Sequence, residues 1–138
     1  MKARGSRSAF APALLLAAAT ATPASACPLT ESDGTLLTGE TVTAAWQLPG
    51  GPVRMSTPFS LIVRACPADS DLVGVDATMP AHRHGMNYAP SITELEPGRW
   101  RVDGLLWHMA GQWELTLDLR PGGSGRPIER LRQAVVLP

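Results

Sequence analysis

From Gln112 to Leu119 polar and apolar residues alternate without a break, Gln112, Glu114, Thr116 and Asp118 against Trp113, Leu115, Leu117 and Leu119. Successive side chains of an extended chain point to opposite faces, so this pattern predicts a strand with one face buried. The same period of two runs through Val42, Ala44, Trp46 and Leu48, then Phe59, Leu61, Val63 and Ala65. It returns in Val73, Val75, Ala77 and Met79, and in Trp100, Val102, Gly104 and Leu106. A last strand is expected within Leu131 to Leu137, and Ser91 to Glu94 gives a short extra one. Between them stand Pro49-Gly50-Gly51-Pro52, Pro67 to Asp71, Pro97-Gly98 and Pro121 to Pro127, part of a load of 13 Gly and 13 Pro. Breakers so placed end strands and make turns. No segment cycles as a helix. The expected fold is therefore all-β, an immunoglobulin-like antiparallel β-sandwich of six or seven short strands, with a small barrel as the alternative. In such a sandwich successive loops alternate between the two ends, provided that the Ser91 to Glu94 strand crosses the domain.

A chain of 138 residues has room for one domain. Its start reads as a signal peptide over residues 1–26: Lys2, Arg4 and Arg7 form a basic head, Phe10 to Ala21 an apolar stretch, and Ala24-Ser25-Ala26 a cleavage site. Residues 27–40 then form an N-terminal segment and residues 41–138 the sandwich. The expected address is the bacterial periplasm, with a lipid anchor on Cys27 as the alternative. Beyond the signal no lysine remains and no apolar run reaches 18 residues. Neither a general nucleic-acid binder nor a membrane span in the mature chain is expected. Cys27 and Cys66 are too few for a four-thiolate zinc site. In an oxidising compartment they are candidates for one disulfide, with Cys66 left a buried thiol if Cys27 is lipidated.

All three histidines fall in two short segments, Met79-Pro80-Ala81-His82-Arg83-His84-Gly85-Met86 and Trp107-His108-Met109. Loop alternation assigns both to one end of the sandwich. In an extended chain His82, His84 and Met86 would share a side. Imidazole with thioether and no thiolate suits copper, Cu(I) above all; zinc would need a carboxylate to complete the set. Candidate ligands are His82, His84, Met86, His108 and Met109. Met79 continues a core alternation, and Met55 lies outside both segments. Trp107 breaks phase with its strand and either packs in the core or shields the loop cluster. No motif for a nucleophile, a phosphate loop or a dinucleotide fold is present, and no catalytic residue is assigned.

The run Met79-Pro80-x-His82-x-His84-Gly85-Met86, followed by Gly98-x-Trp100 and Met109-x-Gly111-x-Trp113, resembles the YtkA-like domains and the related FixH-like proteins. The resemblance covers roughly Thr41 to Arg120. It implies an exported or membrane-tethered immunoglobulin-like sandwich, associated with copper handling or with assembly of copper-containing oxidases. By position it implies ligand roles for His82, His84, Met86, His108 and Met109. The chain departs from FixH-like proteins in having no apolar segment besides the signal, and it carries Arg83 between two ligand positions. The expected function is a non-enzymatic periplasmic copper-binding or copper-delivery module serving a copper-accepting or membrane protein. The alternative is a structural or interaction domain of an envelope complex that holds no metal.

Overall fold

A computed structural model describes residues 27–122 and 125–138. The expected signal peptide lies outside the described residues. A 3-10 turn at Glu31–Asp33 precedes nine strands: β1 (Thr35–Thr38), β2 (Thr43–Gln47), β3 (Phe59–Cys66), β4 (Asp71–Met79), β5 (His84–Gly85), β6 (Ser91–Glu96), β7 (Arg99–Leu105), β8 (Gly111–Arg120) and β9 (Glu129–Leu137). One sheet has the order β1-β2-β3-β7-β6 and the other β5-β4-β8-β9, with every pairing antiparallel. Without β1 and β5, these are the ABED and CFG sheets of an immunoglobulin sandwich. The alternation therefore located all seven principal strands. It missed β1, an edge strand within the segment 27–40, and β5, only two residues long.

The inner faces form the core. Leu61, Val63, Trp100, Val102, Leu115, Leu117 and Leu119 are buried in one cluster; Ala77, Met79, Trp107, Trp113 and Leu137 form a second at one end. Two expected inward sets need correction, both for the same reason. In β4, Leu72 pairs with Leu119 and Gly74 with Asp118, so Val73 is an extra residue and faces solvent while Leu72 is buried. In β7, Ser60 pairs with Asp103 and Phe59 with Leu105, so Gly104 is the extra residue. A β-bulge shifts the side-chain phase by one position. Leu105 and Trp107 consequently turn inward, whereas Gly104 is exposed and Leu106 only half-buried. Glycine suits the site, because its φ is +88°.

The end away from the histidines is fastened twice. Cys27 and Cys66 form a disulfide with Cα atoms 5.5 Å apart, and 39 residues separate them in sequence. A sulfur committed to this bond cannot also carry a thioether-linked lipid. Closing such a loop stabilises by about 3–4 kcal/mol in the chain-entropy account. Nearby, the Glu129 carboxylate of β9 accepts from the Glu40 and Thr41 amides at 2.8 and 3.0 Å and from the Thr41 hydroxyl. This clasp joins the β1–β2 turn of one sheet to the first residue of β9 in the other. The Thr41 hydroxyl, then the amides of Thr41, Glu40 and Val42, hold the Glu129 carboxyl below its ordinary value.

A group with a depressed folded pKa stabilises above its unfolded value and loses that contribution as pH falls through the folded one. The urea midpoint should therefore fall on acidification below about pH 4.5, the ordinary Glu value. Glu129→Gln should lower the midpoint at neutral pH and make that fall shallower; Asp33, Asp103 and Asp118, also held low, supply the rest of the slope. Gly104→Ala tests the bulge. No atom lies within 4 Å of an added Cβ, so the expected loss of about 1–2 kcal/mol is purely backbone strain at positive φ. An unchanged denaturation midpoint would mean that β7 is not held in this conformation.

Candidate metal centre

The pairing registers bring three loops to one end. β4 closes there at Met79, β7 at Leu105, and β3 and β8 begin there at Phe59 and Gly111. The loops are 48–58, the turn and strand after Met79, and 106–110. β6 crosses the domain, with Ser91 opposite Asp103 at this end and Glu96 opposite Arg99 at the other. His82, His84, Met86, His108 and Met109 thus share one end of the sandwich, as loop alternation requires.

The local geometry differs from an extended run. Pro80 to Arg83 make a tight turn, in which the His82 amide donates to the Met79 carbonyl at 3.0 Å and Arg83 takes the left-handed φ of +54°. Beyond it, Met79 pairs with His84 and Thr78 with Gly85 as β4 and β5. His82 consequently sits on the turn and is exposed, while His84 sits on the short strand and is half-buried. The turn still brings the rings together. His84 lies at the centre, with ring centroids 5.8 Å from His82 and 5.1 Å from His108.

Under this trio stands an aromatic column. The His84 and His108 rings meet Trp113 edge-on, at 6.1 and 5.7 Å. Trp113 stacks parallel on Trp107 at 5.3 Å, and Phe59 meets Trp107 edge-on at 5.1 Å. Such arrangements stabilise beyond the area they bury. Trp107 is a core residue, not an exposed shield. Its indole is separated from the histidines by Trp113.

The second segment is pinned on both sides of His108. The Trp107 carbonyl accepts from the Ser56 amide at 2.8 Å, and the Met109 carbonyl accepts from Trp113 Nε1 at 2.9 Å. His108 and Met109 are both exposed. Met86 is partly buried against both core clusters, and its amide donates to the Ala77 carbonyl at 3.2 Å. Met79 is fully core, as its alternation predicts. Met55, outside both histidine segments, lies in the 48–58 loop, which reaches this same end, where the Ser56 amide meets the Trp107 carbonyl.

Two facts define what the cluster can bind. His84 Nδ1 is buried and has no hydrogen-bond partner, a state that costs about 1–3 kcal/mol for an ordinary polar group. Among the described residues, no three His, Cys, Asp or Glu side chains form a group able to hold a metal ion. The rings of His82, His84 and His108 therefore do not stand as a ready-made ligand set for any metal. The imidazoles of His82, His84 and His108 share this end of the sandwich with Met86 and Met109, and imidazole with thioether is a donor chemistry suited to soft ions. The cysteines are in their disulfide at the opposite end.

The carboxylates of Asp76, Asp103 and Asp118 have partners of their own. Asp103 is held low by the Ser60 hydroxyl and by Arg101, and Asp118 by Arg130. Asp76 accepts from the adjacent Ala77 amide. A concavity of about 530 Å³ lies under the 48–58 loop; its ionisable lining groups are Arg54 and Arg101, and the latter is paired with Asp103. No family model matches the chain, and no curated protein or solved structure matches it.

Trp113 supports the cluster by packing and by its bond to Met109. Trp113→Phe should cost about 2–3 kcal/mol through lost volume and one unsatisfied carbonyl, read from urea denaturation. A loss below about 0.5 kcal/mol, the scale of an ordinary surface substitution, would remove the column as the support of the histidines.

Proposed function

We propose that this chain is an exported, non-enzymatic copper-binding or copper-delivery module of the periplasm. His84 is the central ligand, and His82, His108, Met86 and Met109 are its candidate companions. The observation that carries the reading is the His84 Nδ1 atom, buried and unpartnered in a ring that stands between two other imidazoles. A cation there would take up a nitrogen that the protein itself leaves unsatisfied. The thioethers of Met86 and Met109 at the same end favour Cu(I) among such cations, because soft sulfur prefers the monovalent ion. The resemblance of the histidine and tryptophan segments to YtkA-like and FixH-like domains supports the same reading. The Cys27–Cys66 disulfide supports an oxidising compartment and a mature chain without a lipid on Cys27. Among the described residues no helix is long and apolar enough to cross a membrane. An acceptor protein of the envelope would complete the delivery role.

A second reading rests on the ring stacking. His82 lies against His84 with 28° between their planes, and His84 and His108 both abut Trp113. The imidazoles would then be packing groups of an interaction domain, with no metal held. One experiment separates the two. Cu(I) is titrated into the protein against a competing chelator, beside a His82→Ala/His84→Ala variant. The copper reading expects one ion per chain and at least a tenfold weaker affinity in the variant, about 1.4 kcal/mol. Equal affinities, with the variant merely less stable to urea, would overturn it in favour of the interaction domain.

A further inference from the structure

The β2–β3 loop contributes a ligand that neither histidine segment contains. We infer that Met55 is an outer thioether contact for Cu(I), forming with His108 and Met109 a rim at which the ion enters and leaves the histidine cluster. The inference rests on the copper reading and extends it to a third loop. Three observations carry it. First, the Ser56 amide donates to the Trp107 carbonyl at 2.8 Å, so the residue before Ser56 and the residue after Trp107 flank one hydrogen bond. Those residues are Met55 and His108. Second, Met55 and Met109 are both exposed, at 53% and 36%. Both side chains reach the surface, whereas Met79 is sealed in the core and Met86 is partly covered.

The third observation is the backbone that presents Met55. Ser56 has a φ of +56°, a conformation that a residue with a Cβ seldom takes and that persists only where its surroundings enforce it. Enforcement comes from the bond to Trp107 and from the turn in which the Thr57 amide donates to the Arg54 carbonyl at 3.2 Å. An exposed methionine by itself means nothing, since isolated apolar residues are common on surfaces. Here Met55 and His108 flank one backbone hydrogen bond, with Met109 next in the chain, and all three residues are exposed. Two thioethers and one imidazole, with neither thiolate nor carboxylate, form a soft donor set that selects a monovalent ion.

The rim suits exchange. His84 rides on β5 and His82 on its turn, and Trp113 backs both His84 and His108. Met55, His108 and Met109 ride on two loops at the solvent boundary, where their side chains can rotate toward an ion or toward the ligands of an acceptor.

Methionine-methyl NMR of the ¹³C-labelled protein, titrated with Ag(I) as a redox-inert stand-in for Cu(I), tests this directly. The Met55 and Met109 methyl signals should move together and saturate together, while the Met79 methyl stays in place as a reporter of the fold. Met55→Leu preserves volume at an exposed position, and the Met79 signal verifies that the variant folds. It should weaken Ag(I) and Cu(I) binding by roughly tenfold, the scale of losing one supporting group at a metal site. If Met86 and Met109 respond but Met55 does not, and Met55→Leu binds within twofold of the parent, the rim inference is overturned and the copper reading stands. If no methyl responds and the His82→Ala/His84→Ala variant binds as the parent does, both are overturned.

Discussion

The histidine end depends on one extra residue in β7. Had the alternation of Trp100 and Val102 continued, residues 104, 106 and 108 would face the core and Trp107 would face water. The bulge at Gly104 reverses this phase. Leu105 and Trp107 enter the core, and His108 comes out beside the turn that holds His82 and His84. One backbone irregularity thus does two things that a regular strand cannot do together. It closes the sandwich with a large aromatic residue, and it brings a third imidazole to the surface. Glycine at φ +88° is what makes the irregularity cheap.

Trp113 links that phase shift to the ligand cluster. It belongs to the regular alternation of β8, where it is fully buried, yet its indole edge reaches the two imidazoles and its Nε1 holds the Met109 carbonyl. Behind it Trp107 and Phe59 extend the stack toward the core. The His84 ring therefore has an apolar wall behind it, and it lies on a strand only two residues long. Its buried Nδ1 has no partner in this setting. In the copper reading that lack is functional: the fold withholds a protein acceptor or donor from the atom that the ion would use. In the packing reading it is a cost of the kind that Trp46 Nε1, Arg99 Nε and Trp107 Nε1 also carry.

Much of the architecture was legible because the buried faces obey a strict period of two. Trp113, Leu115, Leu117 and Leu119 announce β8, and the Pro and Gly clusters announce the turns. The grouping of His82, His84 and His108 at one end followed from loop alternation alone, since antiparallel strands leave no other choice once β6 crosses. What escaped were local departures from the period. The bulges at Val73 and Gly104 carry no composition signal beyond a glycine in a strand, and the alternation reads straight through them to Leu106. β5 is too short to show any periodicity. β1, with Leu37 as its only buried residue, exists because it pairs with β2 and because its turn is clasped by Glu129 from a strand some ninety residues away. Distant partners of this kind are not visible in a local pattern. The ring distances around His84 depend likewise on a left-handed Arg83 that an extended reading of the segment does not contain.

The two ends of the sandwich are held by different physics, and the difference bears on exchange. At the far end stand a covalent disulfide, the Glu129 clasp across the sheets, and the Arg64–Asp33 pair beside the mouth of β3. The histidine end has no disulfide among its described contacts; aromatic packing, the Trp113–Met109 bond, a few backbone hydrogen bonds and the Ser60 and Arg101 contacts of Asp103 hold it. Local opening draws on the stability of the contacts that break, not on that of the whole domain. In the copper reading, loops 48–58 and 106–110 adjust around an ion while the disulfide end keeps the sheets in register. A delivery protein requires that separation, because a site locked as firmly as the far end would bind its ion and retain it.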